Sequence, residues 1–187
     1  GCDMMNSIWT KDIRKPDYPA LQKNIKTDVL IIGGGMAGIL CAFMLKNAGI
    51  DCVLVEAKKI CDGITKNTTA KITLQHGLLY DKLITRFGKE SALLYYRAQK
   101  AACEKYAELC ADIDCDFEIK DSFVYSLCNK EKINKEFLAL KHLGADVELC
   151  KDINLPFDVA GAVCVKDQAQ FHPLKFAYAI SRKLPIY

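Results

Sequence analysis

No C-x-x-C pair occurs among the ten cysteines, and no Cys/His cluster has zinc or iron–sulfur spacing. A metal centre is therefore not expected. The cysteines fall at Cys2, Cys41, Cys52, Cys61, Cys103, Cys110, Cys115, Cys128, Cys150 and Cys164. Several sit inside apolar segments, where a free thiol behaves as a small hydrophobe. They read as reduced thiols of a cytoplasmic protein, not as the disulfide framework of a small secreted scaffold. A one-sided charge is also missing. Against 26 basic residues stand 23 acidic ones, leaving +3, which is too balanced for a nucleic-acid or anionic-membrane partner. No segment has the layout of a signal peptide. Val29–Leu45 carries no charge, but it is short of the ~20 residues of a membrane span and its front is broken by glycines. Repeats and low-complexity segments are absent. No acid–base pair or nucleophile triad is readable, so no catalytic side chain is assigned.

What is present is concentrated in residues 28–56, DVLIIGGGMAGILCAFMLKNAGIDCVLVE. Val29–Ile32 is a continuous apolar run suited to a buried parallel strand. Gly33, Gly35 and Gly38 follow it with G-x-G-x-x-G spacing. Gly33 allows the tight turn, Gly35 lets backbone approach a pyrophosphate, and Gly38 lets the helix pack close to the strand. Ala42, one turn on, is small enough for the same packing. The helix N-terminus offers N–H groups and partial positive charge to phosphates. Val53–Val55 forms the second strand, and Glu56 ends it at the distance where an acid bonds ribose hydroxyls. A carboxylate there repels a 2′-phosphate and so argues against NADP. This is the unit that grips the ADP half of a dinucleotide.

Beyond it, residues 1–26 read as an extended arm and 57–75 as a polar loop. Leu78–Phe87 and Lys89–Asp112 read as helices separated by Gly88. In the second, Leu94, Ala98, Ala101, Ala102, Lys105 and Leu109 trace an apolar stripe interrupted by one charge. Phe117–Leu127 reads as one or two strands. Glu131–His142 is helical, with Gly144 as its C-terminal stop. Val147–Cys150 and Val159–Val165 are strands, and Pro173–Lys183 is a final helix with Pro173 at its first position. His172 caps that helix or packs between domains. His76 and His142 have no partner pattern, and His142 is explained by the helix dipole. The organisation shifts near residue 113 from alternating elements to short strands around one helix, as when a second domain is inserted into the first. The expected divisions are an arm (1–26), a nucleotide-binding first segment (27–112), part of a substrate domain (113–170) and a truncated return to the nucleotide domain (171–187).

The dinucleotide unit, then EAKKICDGITKNTTAK, then VAGAVCVKDQAQFHPLKFAYAI, together resemble the FAD-dependent oxidoreductases of the D-amino-acid oxidase and glycine oxidase type. The likeness is greatest to members whose longer chains carry a Rieske domain. It covers most of residues 7–184. It implies an α/β fold: a Rossmann-like FAD-binding domain with part of an inserted α+β substrate domain. It implies FAD as cofactor, with Gly33, Gly35, Met36, Ala37 and Gly38 around the pyrophosphate. Glu56 would hold the adenosine ribose, with Ala57 beside it, and Thr65 would bond a phosphate. Thr69, Ala70 and Lys71 would run past the flavin ring. The implied activity is oxidation of the C–N bond of an amine or amino acid by hydride transfer to flavin. An NAD-binding Rossmann oxidoreductase and a non-catalytic nucleotide-binding remnant are the alternatives. Family members run to about twice this length, so the chain reads as an N-terminal portion without a Rieske signature. Self-association or a complementing C-terminal piece is expected, because few strands are left to cover the nucleotide sheet.

Overall fold

The computed structural model describes residues 13–63 and 69–187. Their contacts group into two compact units. The first takes in the described residues up to Ala70, with Asp112–Asp116 and Phe171–Tyr187, and the second takes in Lys71–Ala111 and Phe117–Gln170.

In the first unit, β1 (Val29–Ile32), α1 (Met36–Asn47) and β2 (Cys52–Val55) follow one another as the apolar periodicity predicts. The strands pair in parallel, Val29 opposite Cys52 and Ile32 opposite Val55. β2 is the inner strand. On its other side the chain end runs parallel to it. The N–H of Leu54 donates to the Pro185 carbonyl at 3.1 Å, that of Tyr187 donates to Leu54 at 3.0 Å, and that of Glu56 donates to Tyr187 at 3.0 Å. Leu54 and Ile186 thus form an isolated parallel bridge. The last helix, α4 (Pro173–Ser181), has Pro173 in its first turn, where a missing N–H costs nothing. The cap expected of His172 is present: its Nδ1 accepts the Lys175 N–H at 3.4 Å. α4 packs on α1, and Ile39, Ala42, Leu54, Phe176 and Ile180 are fully buried. β1 is covered far less well, with Ile32 80% and Leu30 56% exposed.

In the second unit, β4 (Glu118–Ser126) and β5 (Val147–Cys150) pair antiparallel with the long β6 (Gly161–Phe171). β3 (Ala70–Ile72) pairs with β6 to complete a four-stranded sheet. α2 (Tyr80–Ala111) and α3 (Lys130–His142) pack against each other. Tyr80, Ile133, Leu140, Val163 and Val165 form the centre of the core. α2 breaks at Gly88, whose φ of 83° is non-helical, so the two expected helices are found end to end. Gly144, at φ 91°, follows α3 as its stop.

Three readings of the sequence are corrected. The expected loop 57–75 contains β3. The strand expected at Val159–Val165 instead runs from Gly161 to Phe171, because Gln168–Gln170 pair with Glu118–Lys120 of β4, and Gln168 Oε1 also accepts the Leu74 N–H at 2.8 Å. The expected stripe on α2 faces outward. Leu94 is 68% exposed and Ala98, Ala101, Ala102 and Lys105 are open, while Ala92, Tyr96 and Cys110 are buried. A two-residue offset turns a helix by about 200°. Tyr96 fills space beside Tyr80, with ring centroids 6.1 Å apart, which alanines cannot do. α2 groups with the second unit, whose core takes its inward residues.

Candidate functional site

The turn between β1 and α1 is built by contacts that admit no side chain. Gly33 has φ 111°, a conformation L-residues avoid. A Cβ on Gly38 would lie 2.0 Å from the Gly33 carbonyl oxygen and 3.5 Å from Ile31. The first turn of α1 therefore rests directly on the strand end. Its first intrahelical bond runs from the Ile39 N–H to the Gly35 carbonyl at 3.0 Å. The N–H groups of Met36, Ala37 and Gly38 thus have no acceptor within the helix, and the helix carries no acid in its first turn. A Cβ on Gly35 would meet nothing within 4 Å. Among the described residues nothing fills the space beside Gly35, and the helix dipole favours an anion at that end.

Glu56 closes the far side. Its Oε2 accepts the Gly34 N–H at 2.7 Å, and its Oε1 accepts the Lys58 N–H at 3.0 Å. These donors, Gly34 first, hold the carboxyl below its ordinary value, so it is ionised at neutral pH. Each oxygen keeps a lone pair able to accept a hydroxyl. Gly34 is the residue that the G-x-G-x-x-G pattern leaves unassigned. It is buried, its carbonyl accepts the Cys61 N–H at 2.9 Å, and a Cβ there would meet Ile60 at 2.8 Å. The run of three glycines, one more than the fingerprint needs at that point, was its only trace in the sequence.

Gly33, Gly35, Met36, Ala37, Gly38 and Glu56 are thus gathered at one end of the βαβ unit, with Ala57 next to Glu56 and exposed. Thr65 lies outside the described residues. Thr69 and Ala70 precede or open β3 in the first unit, and Lys71 falls in the second. No group of His, Cys, Asp and Glu among the described residues could hold a metal ion, and no described helix is long and apolar enough to cross a membrane. Cys41, Cys52, Cys61, Cys103, Cys128, Cys150 and Cys164 are free thiols. An open anion cradle at a helix N-terminus and an ionised acid at the end of the next strand fit the pyrophosphate and ribose of a dinucleotide.

The family model for FAD dependent oxidoreductases (DAO) matches residues 28–184. The chain belongs to this family. FAD is the family's cofactor, which decides against the NAD-binding alternative. A Bacillus subtilis protein named as a Rieske 2Fe-2S iron-sulfur protein, YhfW, is 37% identical over 182 residues, covering 95% of this chain and 36% of the relative. Glycine oxidase from Bacillus cereus superposes with a TM-score of 0.64 at 21% identity, over 87% of this chain and 46% of that one. L-Amino acid deaminase from Proteus vulgaris gives 0.63 at 18%, over 94% and 42%. These structures share the mixed α/β fold. The chain spans under half the length of each of these relatives.

Proposed function

We propose that this chain is the FAD-holding part of an oxidoreductase that oxidises the C–N bond of an amine or amino acid. The observation that carries the reading is the glycine turn pressed onto β1 with an ionised Glu56 beyond it, in a chain of the FAD-dependent oxidoreductase family. In this reading the N–H groups of Met36, Ala37 and Gly38 hold the pyrophosphate, and Gly33 and Gly35 keep its approach clear. Glu56 accepts the adenosine ribose hydroxyls, with Ala57 beside it. Thr65 is assigned to a phosphate, and Thr69, Ala70 and Lys71 to the flavin ring. FAD, when bound, supplies the two-electron acceptor for the hydride. The protein groups bind and orient; no side chain is assigned a proton transfer. The first unit is assigned to FAD binding and the second to part of a substrate domain. Free thiols such as Cys41, Cys52, Cys61 and Cys164 support a reducing, cytoplasmic setting.

The open edge and face of β1, with Leu30 and Ile32 exposed, support a need for a covering piece, either a C-terminal segment or a second copy. An uncovered edge of this kind invites association. The 187-residue chain alone is therefore expected to bind FAD weakly and to show no turnover. The test is to purify it, record its flavin absorbance, titrate FAD, NAD and ADP, and assay flavin reduction with amines and amino acids. Tighter binding of NAD than of FAD would overturn the reading. Binding of ADP with no gain from the flavin half would reduce the chain to a nucleotide-binding remnant.

A further inference from the structure

A chain terminus frays unless something ties it down. Residues 13–18 of the N-terminal arm are tied down within the first unit. The Arg182 Nη2 donates to the Arg14 carbonyl at 2.9 Å. The Lys15 ammonium donates to an Asp62 carboxylate oxygen at 3.3 Å. The Tyr18 hydroxyl donates to the Ser181 Oγ at 2.7 Å. Ser181 is fully buried, and its own hydroxyl donates to the Tyr178 carbonyl at 2.9 Å. None of these residues belongs to the glycine cradle.

The Lys15 contact leads into that cradle by short steps. Asp62 follows Cys61, whose N–H donates to the Gly34 carbonyl at 2.9 Å. The Gly34 N–H in turn donates to Glu56 at 2.7 Å. Cys61 has φ 53°, a conformation uncommon outside glycine, and such a residue persists where its surroundings hold it. It is 3% exposed, and burial pushes its thiol up to about 11. Pro16, Asp17 and Tyr18 also line a cavity of about 50 Å3 together with Glu56, Ile60 and Tyr187. That is room for a water or two and far too little for a nucleotide. The arm therefore acts on the site through the segment Ile60–Asp62 and not by touching the ligand.

We propose that residues 13–18 are a strap for the cofactor site, in which Tyr18 anchors the arm and Lys15 holds the segment Ile60–Asp62 down on Gly34, so that Glu56 and the glycine turn keep the geometry that receives the ADP half of FAD. Lys15 and Tyr18 are positioning residues. The proposal rests on the flavin reading for the identity of the ligand; the clamping of Cys61 stands apart from it.

The test follows alkylation of Cys61 by a maleimide in the 187-residue chain, mapped by mass spectrometry with the exposed Cys41 and Cys128 as references, and ADP affinity by NMR titration. Lys15→Ala should speed Cys61 alkylation and weaken ADP by about two- to fivefold each, the size of an exposed ion pair. Lys15→Arg should restore both. Lys15→Glu should go further than Lys15→Ala, and adding Asp62→Lys to it should bring both quantities back towards those of the unsubstituted chain. Tyr18→Phe removes a neutral hydrogen bond and should act in the same direction by about two- to tenfold. Alkylation of Cys41 and Cys128 should not change, and circular dichroism establishes that each variant is folded. Unchanged Cys61 alkylation in Lys15→Glu and Tyr18→Phe would overturn the strap. Faster alkylation with undiminished ADP affinity would overturn its link to the cofactor site and leave the flavin reading standing. Failure of the unsubstituted chain to bind ADP sinks the flavin reading and the cofactor role with it, while Cys61 alkylation still decides the clamp.

Discussion

Gly35 and Gly38 lie three residues apart in one turn of helix, yet they should fail in opposite ways. In Gly38→Ala the new Cβ would start 2.0 Å from the Gly33 carbonyl oxygen and 3.2 Å from its carbon. The obstructing atoms are backbone, so no rotamer relieves the clash, and the N-terminus of α1 must lift by more than 1 Å to restore ordinary contact. Overpacking costs about 1–3 kcal/mol when side chains can adjust, and occasionally more. With an immovable backbone on one side, a loss of about 3 kcal/mol is expected. For a chain of this length that lowers Tm by about 6–12 °C. In Gly35→Ala the Cβ meets nothing within 4 Å and φ is −80°, which alanine accepts. The melt should stay near that of the unsubstituted chain, while binding of ADP and FAD falls because the methyl group occupies the pyrophosphate's approach. Thermal melts by circular dichroism and NMR titrations with ADP, which read weak binding, separate the two effects. If Gly38→Ala melts normally, the close seating of α1 on β1 is wrong. If Gly35→Ala binds ADP as before, the cradle in front of the helix is not the nucleotide site.

Glu56→Ala should weaken ADP and FAD by about 1.5–3 kcal/mol, as for bonds to a charged acceptor, and unchanged affinity in calorimetry would remove Glu56 from the site. The Glu56 carboxyl lies below its ordinary 4.5, so its stabilisation is present above that value and is lost as pH falls through the lowered one. Glu56→Gln should flatten this acid limb in pH-dependent melts. Glu136 is 1% exposed and accepts the N–H groups of Tyr80 and Asp81, both at 2.9 Å; Glu136→Ala orphans both donors and should cost about 2–4 kcal/mol in chemical denaturation. Burial pushes the Glu136 pKa up, so its contribution is full below the unfolded value and fades as pH rises through the folded one, a slope that Glu136→Gln should abolish. Ile32→Lys, at a residue 80% exposed on the open strand, should reduce self-association in sedimentation velocity with little change in Tm; undiminished association would move the sticky surface elsewhere.

The sequence alone determined what depends on neighbours a few residues away. The strand–glycine–helix–strand unit, Glu56 at its end, the break at Gly88, the stop at Gly144 and the start at Pro173 each follow from backbone freedom or from a periodicity within one element. These local signals placed the nucleotide site and carried the resemblance to the FAD-dependent oxidoreductases. Tertiary structure decided what depends on partners distant in the chain. Both faces of α2 offer small or apolar residues, and only packing against Ile133, Leu140 and Val163 chose the one bearing Ala92 and Tyr96. β3 is a strand because it found β6, and the polar half of β6 because it found β4. Gly34 is required because Glu56 and Ile60 fold back over it, and Glu136 is buried because the N-terminus of α2 needs its two oxygens. Ile186 forms a parallel bridge to Leu54 only because β2 has a free edge to receive it. A carboxylate deep in a core or a strand of three residues has no local signature, since the donors that make either stable come from sequence far away.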